Sequence, residues 1–148
     1  MIYADAYLTT LDAVKLQLKL SGVNTIDDAL VETHIASATD LITGFCNRSF
    51  VPYRETKLFD ARGDRIVDHS RTLLLRDDLL AMHTLTNGDG TTLVSSKYAL
   101  SSGYPKWSVE LLPSTGLTWT YTTDWQNAIS LVGTWGYHED YSSAWVSS

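Results

Sequence analysis

Residues Thr25 to Phe50, TIDDALVETHIASATDLITGFCNRSF, decide the reading of this chain. Leu30, Ile35, Ala38, Leu41, Ile42 and Phe45 recur at spacings of three to five, which gathers them on one face of a helix. Glu32, Thr33, Ser37 and Asp40 fall mainly on the other side. Thr25 is the expected N-cap, with Asp27 and Asp28 placing negative charge at the positive end of the helix dipole. Asn47, tolerant of left-handed backbone, is the expected stop. About twenty residues at 1.5 Å each span roughly 30 Å. A helix of that length with one apolar stripe needs something to cover it.

Upstream, Thr10 caps a shorter expected helix, Leu11 to Leu20, with Asp12 in its first turn and Lys19 in its last. Ser21-Gly22 ends it, and so short a connection predicts a helical hairpin. Downstream, Pro52 biases Val51 toward extended backbone, and the apolar period changes from near 3.6 to near 2. The expected strands are Tyr53 to Phe59, Arg65 to Asp68, Arg71 to Arg76, Leu79 to Thr86, Thr91 to Val94, Lys97 to Leu100, Lys106 to Leu112, Leu117 to Thr123 and Asn127 to Tyr137. Turns are expected at Ala61 to Asp64, at Asp77-Asp78 and at Asn87-Gly88-Asp89-Gly90, the last a strong hairpin signal. Trp107, Val109 and Leu111 alternate with Lys106, Ser108 and Glu110, and Leu117, Trp119 and Tyr121 alternate with threonines. Such alternation predicts a sheet with one buried face. Gly133 inside the last strand predicts a bulge or a close backbone approach. The fold class is therefore α+β: a helical hairpin over residues 1–50, an antiparallel β-region over 51–137 and a C-terminal tail over 138–148.

Composition narrows the function. At 148 residues, with 44% hydrophobic and 19% charged residues, the chain can bury a core without covalent help. No apolar run is long enough for a membrane span, and no signal peptide is apparent at the N-terminus. The net charge of −6 opposes a surface that grips nucleic-acid phosphates. It suits a surface past which DNA moves without sticking. The single cysteine, Cys46, is expected as a buried thiol at the helix end.

No catalytic set stands out. His34, His69, His83 and His138 lack ligand spacing, so no metal is expected, and no cofactor motif is present. Asp77-Asp78 and Glu139-Asp140 are carboxylate pairs at expected turns, where Asp is common for backbone reasons. All five tryptophans follow residue 106. Trp107, Trp119 and Trp135 fit inward strand positions, whereas Trp125 and Trp145 lie off the strands. Exposed aromatics of that kind anchor protein interfaces or stack on sugars.

The order of these features resembles the head–tail connector (adaptor) proteins of tailed bacteriophages and prophages. The residues that carry the resemblance are Leu8 to Lys15 (LTTLDAVK), the long helix ending FCNRSF at Phe45 to Phe50, TNGDG at Thr86 to Gly90 and GTWGY at Gly133 to Tyr137. It covers essentially the whole chain, and its best-matched part is Thr9 to Phe50. The simplest members are mostly helical, so the β-region is a departure. The resemblance implies a non-enzymatic virion protein, assembled in the host cytoplasm, that forms a ring of about twelve copies beneath the portal protein. The ring extends the DNA channel, passes genomic DNA without specific binding and docks the tail or the next head-completion protein. It further implies a portal contact through the C-terminal segment, here Tyr141, Trp145 and Val146. The alternative reading is a carbohydrate- or receptor-binding β-module that uses exposed aromatics such as Trp125.

Overall fold

The computed structural model describes residues 7–20 and 23–137. Two helices precede an antiparallel sheet of seven strands, so the α+β class holds.

Helix α1 (Leu11–Gln17) begins where Thr10 caps it, the Thr10 hydroxyl accepting from the Ala13 N–H at 3.2 Å. It stops a turn earlier than expected. Helix α2 (Asp28–Cys46) ends at Asn47, whose φ of 49° is left-handed as anticipated. Its start differs. Asp27 holds the N-cap position without a side-chain bond, and Thr25 contributes its carbonyl to the Asp28 N–H at 3.3 Å. The approach to α2 is tied by other groups. The Asn24 side chain accepts from the Ile26 N–H, and the Lys15 ammonium donates to the Asn24 carbonyl and to the Asp28 carboxylate, 2.7 Å away. Lys15 is 5% exposed, so this ion pair pins the two helices together at the mouth of the hairpin.

The strands are β1 (Tyr53–Phe59), β2 (Ile66–Val67), β3 (Thr72–Thr86), β4 (Thr92–Leu93), β5 (Tyr98–Leu100), β6 (Lys106–Leu111) and β7 (Ile129–Trp135). Their order is β1-β7-β3-β6-β5, with β2 and β4 pairing with the two ends of β3. β1 and β7 run in unbroken register from Tyr53 opposite Trp135 to Phe59 opposite Ile129. β3 and β4 close over Asn87 to Gly90, the hairpin that the Asn-Gly signal predicts.

Three expectations fail for physical reasons. Arg71 to Arg76 and Leu79 to Thr86 are one strand of 15 residues, not two. Asp77-Asp78 makes no turn. It lies within a register irregularity between Leu74 and Leu79, and each carboxylate meets a cation from a neighbouring segment. Leu117 to Thr123 forms no ladder beyond a single bridge from Tyr121 to Gly88. Its polar backbone groups are satisfied elsewhere: the Trp119 N–H donates to the Ser70 carbonyl, and the Asn87 side chain donates to the Thr118 carbonyl and accepts from the Thr120 N–H. The alternation of β6 also breaks. Val109 and Leu111 are buried, but so is Ser108, and Trp107 is 60% exposed. The irregularity in β3 across from it, between Leu74 and Leu79, shifts the pairing just where Trp107 sits.

The core is built by Leu73, Leu79, Leu85, Val109, Leu111, Ile129, Leu131 and Trp135, all fully buried. Trp135 packs near Phe59 and donates its ring N–H to the Glu55 carbonyl at 3.1 Å. Trp119 closes the core from its loop, its ring N–H donating to the Arg71 carbonyl at 2.9 Å. Gly133 makes the expected close approach: a Cβ there would lie 2.6 Å from Leu79 Cδ1 and 2.9 Å from the Ala81 carbonyl.

The helical hairpin packs on itself and hardly touches the sheet. The join lies at the end of α2. Arg48 reaches Asp78 at 3.6 Å and stacks over the Tyr137 ring at 4.8 Å, Phe50 meets the same ring edge-on, and the Tyr137 N–H donates to the Ser49 carbonyl. Among the described residues no helix is long and apolar enough to cross a membrane.

Candidate functional site

Because α2 is not laid on the sheet, its apolar stripe is only partly covered. Ile35, at 6% exposure, and Thr39 are buried beneath α1 and the lead-in, where the Leu8 N–H donates to the Thr39 hydroxyl. Beyond them the stripe faces solvent. Leu41 is 74% exposed and Phe45 91%, with Leu30 and Ile42 also exposed. Leu16 of α1 and Leu18, its C-cap, are exposed as well. Between the helices lies an open groove of about 470 Å³, lined mainly by Val14, Leu18, Val31, Ile35, Ala38 and Ile42. His34 sits on its rim and is exposed. Isolated exposed hydrophobic residues need no explanation, but a contiguous groove with an apolar stripe beside it marks an interaction surface. The sequence located the stripe through its spacing. That it stays open depends on where the sheet sits.

A second, polar depression of about 560 Å³ lies at the join, between Thr43, Cys46, Asn47 and Arg48 on one side and Tyr53 and Arg76 to Asp78 on the other. Its two carboxylates are paired. Asp78 faces Arg48, and Asp77 lies 2.7 Å from the Lys57 ammonium. Lys57 also donates to the Tyr53 hydroxyl at 3.0 Å and lies over the Trp135 ring at 4.8 Å. Burial lowers the Lys57 pKa, but the hydrogen bonds and charges of Asp77 and Tyr53 outweigh it, and the net direction is upward. Asp78 thus ties the sheet to the end of α2, and Asp77 ties β3 to β1. Cys46, expected to be buried, is exposed at this edge, because among the described residues none covers it in the last turn of α2.

Among the described residues, no group of three or more His, Cys, Asp or Glu side chains is placed to hold a metal ion. His83 donates to or accepts from the Thr134 hydroxyl at 2.8 Å, and His69 lies beside Asp68 on an exposed turn. Trp125 is half-buried, and its carbonyl accepts from the Ala61 N–H. Tyr141, Trp145 and Val146, the residues that the resemblance assigns to a portal contact, lie outside the described residues, as do His138, Glu139 and Asp140. Tyr137, the last described residue, is held against Ser49 beside the end of α2.

The fold and its surface thus define an α+β protein with a core closed within its sheet and an apolar helical hairpin left open. No family model, no curated protein and no solved structure matches the chain.

Proposed function

We propose that the chain is a structural subunit of a tailed-phage virion, a head–tail connector that forms a ring beneath the portal, extends the DNA channel and docks the tail or the next completion protein. The observation that carries this reading is the open apolar face of the helical hairpin. A protein that already encloses a core in its sheet has no internal use for Leu41 and Phe45 on the surface, whereas a subunit of an assembly does. The acidic balance agrees with a channel that conducts DNA without retaining it. In this reading Tyr141, Trp145 and Val146 grip the portal, starting from the join where Tyr137 is anchored.

The glycan-binding alternative draws less support from the surface. Trp125 is half-buried. Of the exposed pair Tyr104 and Trp107, Tyr104 already carries the Lys106 ammonium 4.5 Å from its ring centroid.

Negative-stain electron microscopy of the concentrated chain, with and without a candidate portal protein, tests the proposal. Closed rings, or added density beneath the portal, are the expected result. Particles no larger than a dimer in both conditions count against it.

A further inference from the structure

The connection between α2 and β1 is fixed at both of its ends. On the helix side, the Asn47 N–H bonds to the Gly44 carbonyl and the Arg48 N–H to the Thr43 carbonyl, each at 3.3 Å, with Asn47 in left-handed backbone. This doubly bonded helix stop holds Asn47 and Arg48 to the last turn. On the sheet side, the Ser49 carbonyl accepts from the Tyr137 N–H at 2.8 Å, and the Ser49 hydroxyl donates to the Val51 carbonyl. Gly136 lies so close to this run that a Cβ on it would stand 3.1 Å from Pro52 Cα. The soft backbone dihedrals left between helix and sheet are those of Arg48 and Ser49.

The side chain of Arg48 spans the same joint. It reaches Asp78 of β3 at 3.6 Å and lies over the Tyr137 ring at 4.8 Å. Both partners belong to one patch of the sheet, because the Gly136 N–H donates to the Asp78 carbonyl at 2.8 Å. Beside this contact α2 and the sheet do not pack. The polar depression of about 560 Å³ separates Thr43, Gly44 and Cys46 from Tyr53 and Arg76, and a Cβ on Gly44 would meet nothing within 4 Å.

We propose that the helical hairpin is an arm hinged at Arg48 and Ser49, with the Arg48 side chain as the brace that sets its angle to the sheet. A hinge of this kind needs only a few residues at the end of an element to absorb the backbone change. The arm moves as a unit, because the Lys15–Asp28 ion pair and the bond from the Leu8 N–H to Thr39 tie α1 and the lead-in to α2. The brace is releasable. Arg48 is half-exposed, and exposed ion pairs and cation–π contacts are individually weak, the ion pair being screened by salt as well. Arg76 gives the direction of closure. Among the described residues it has no ion-pair partner, and it lines the depression opposite the carbonyl end of α2, whose last turn carries no basic residue. Closing the depression brings its guanidinium to the negative end of the helix dipole. The inference does not rest on the connector reading.

Residual dipolar couplings of the isotope-labelled full chain, measured without any portal protein, are the test. The wild-type couplings of α2 and of β1, β3 and β7 are expected to fit a single alignment tensor. In Arg48→Ala the sheet keeps its couplings and its melting transition, while the couplings of α2 shrink and need a tensor of their own. Asp78→Asn, which keeps the carbonyl that Gly136 bonds, carries the same expectation should Arg48→Ala fail to fold. Arg76→Ala removes an arginine from the same depression without touching the brace and leaves the wild-type fit unchanged. A wild-type chain whose α2 already needs its own tensor overturns the inference. So does an Arg48→Ala chain that still fits one tensor, or an Arg76→Ala chain whose α2 loosens as much as that of Arg48→Ala. None of these results bears on rings seen with a portal, so failure here is separable from failure of the connector reading.

Discussion

Lys57 shows how one residue couples the edge strand to the rest of the molecule. It projects from β1 over Trp135 and bonds to Asp77 of β3 and to Tyr53. Its pKa is raised above the ordinary 10.5, so the folded state holds this proton more tightly than the unfolded chain. The associated stability is fully present below pH 10.5 and is lost as pH rises through the folded value. Tyr98, whose pKa burial raises from 10.0, acts in the same direction. Urea unfolding between pH 8 and pH 12 should therefore show stability falling above about pH 10. Lys57→Met should make that fall shallower. An equally steep fall in the variant would show that Lys57 does not contribute to it. None of this was visible in the sequence. Asp77 resembled a turn residue because Asp-Asp is common in turns, and only the irregularity in β3 turns its carboxylate toward Lys57.

At the scale of elements, the segment from Leu112 to Ala128 is the informative one. It alternates like a strand yet is a loop, and one buried side chain makes three of the hydrogen bonds around it. Asn87, 3% exposed, donates to the Thr118 carbonyl at 2.9 Å and accepts from the N–H groups of Gly88 and Thr120. The loop also lies against Gly88, where any Cβ would stand 2.2 Å from the Thr120 carbonyl. Asn87→Ala strips three hydrogen bonds and leaves buried groups unpaired, at a cost of about 1–3 kcal/mol. Chemical denaturation should register that loss, and hydrogen exchange should show it concentrated at Thr120 and Trp119. A loss spread evenly over the sheet would mean that Asn87 does not organise this loop. The Asn-Gly pair announced its hairpin, because positive-φ tolerance is a local property. It did not announce that the same asparagine binds a loop more than thirty residues away, because side-chain capture at that range depends on the sheet being assembled first.

For the whole molecule, among the described residues the core lies within 53–135, and the helical hairpin joins the sheet around Arg48, Ser49 and Phe50. The buried core residues all lie between Phe59 and Trp135, so removal of residues 138–148 leaves every one of them in the chain. The truncated chain should keep the melting temperature of the full chain within about 2 °C, since a ΔΔG below about 0.5 kcal/mol moves a domain of this size no further. In the connector reading it should also lose affinity for the portal. Unchanged portal attachment would remove Tyr141, Trp145 and Val146 from that role.

The amino-acid sequence by itself determined that two helices precede an antiparallel sheet, the cap at Thr10, the left-handed stop at Asn47, the hairpin at Asn87 to Gly90 and the tight passage at Gly133. Each follows from the local geometry of one or a few neighbouring residues or from a periodicity that one element carries alone. Only the tertiary structure decided that Arg71 to Thr86 is a single strand, that Leu117 to Thr123 is a loop, that Trp107 turns outward, and that Cys46, Leu41 and Phe45 are exposed. Those outcomes depend on which segment lies opposite. The same apolar stripe reads as core or as interface according to whether a sheet covers it, and in this protein the sheet buries its apolar face within itself and leaves the stripe of α2 open.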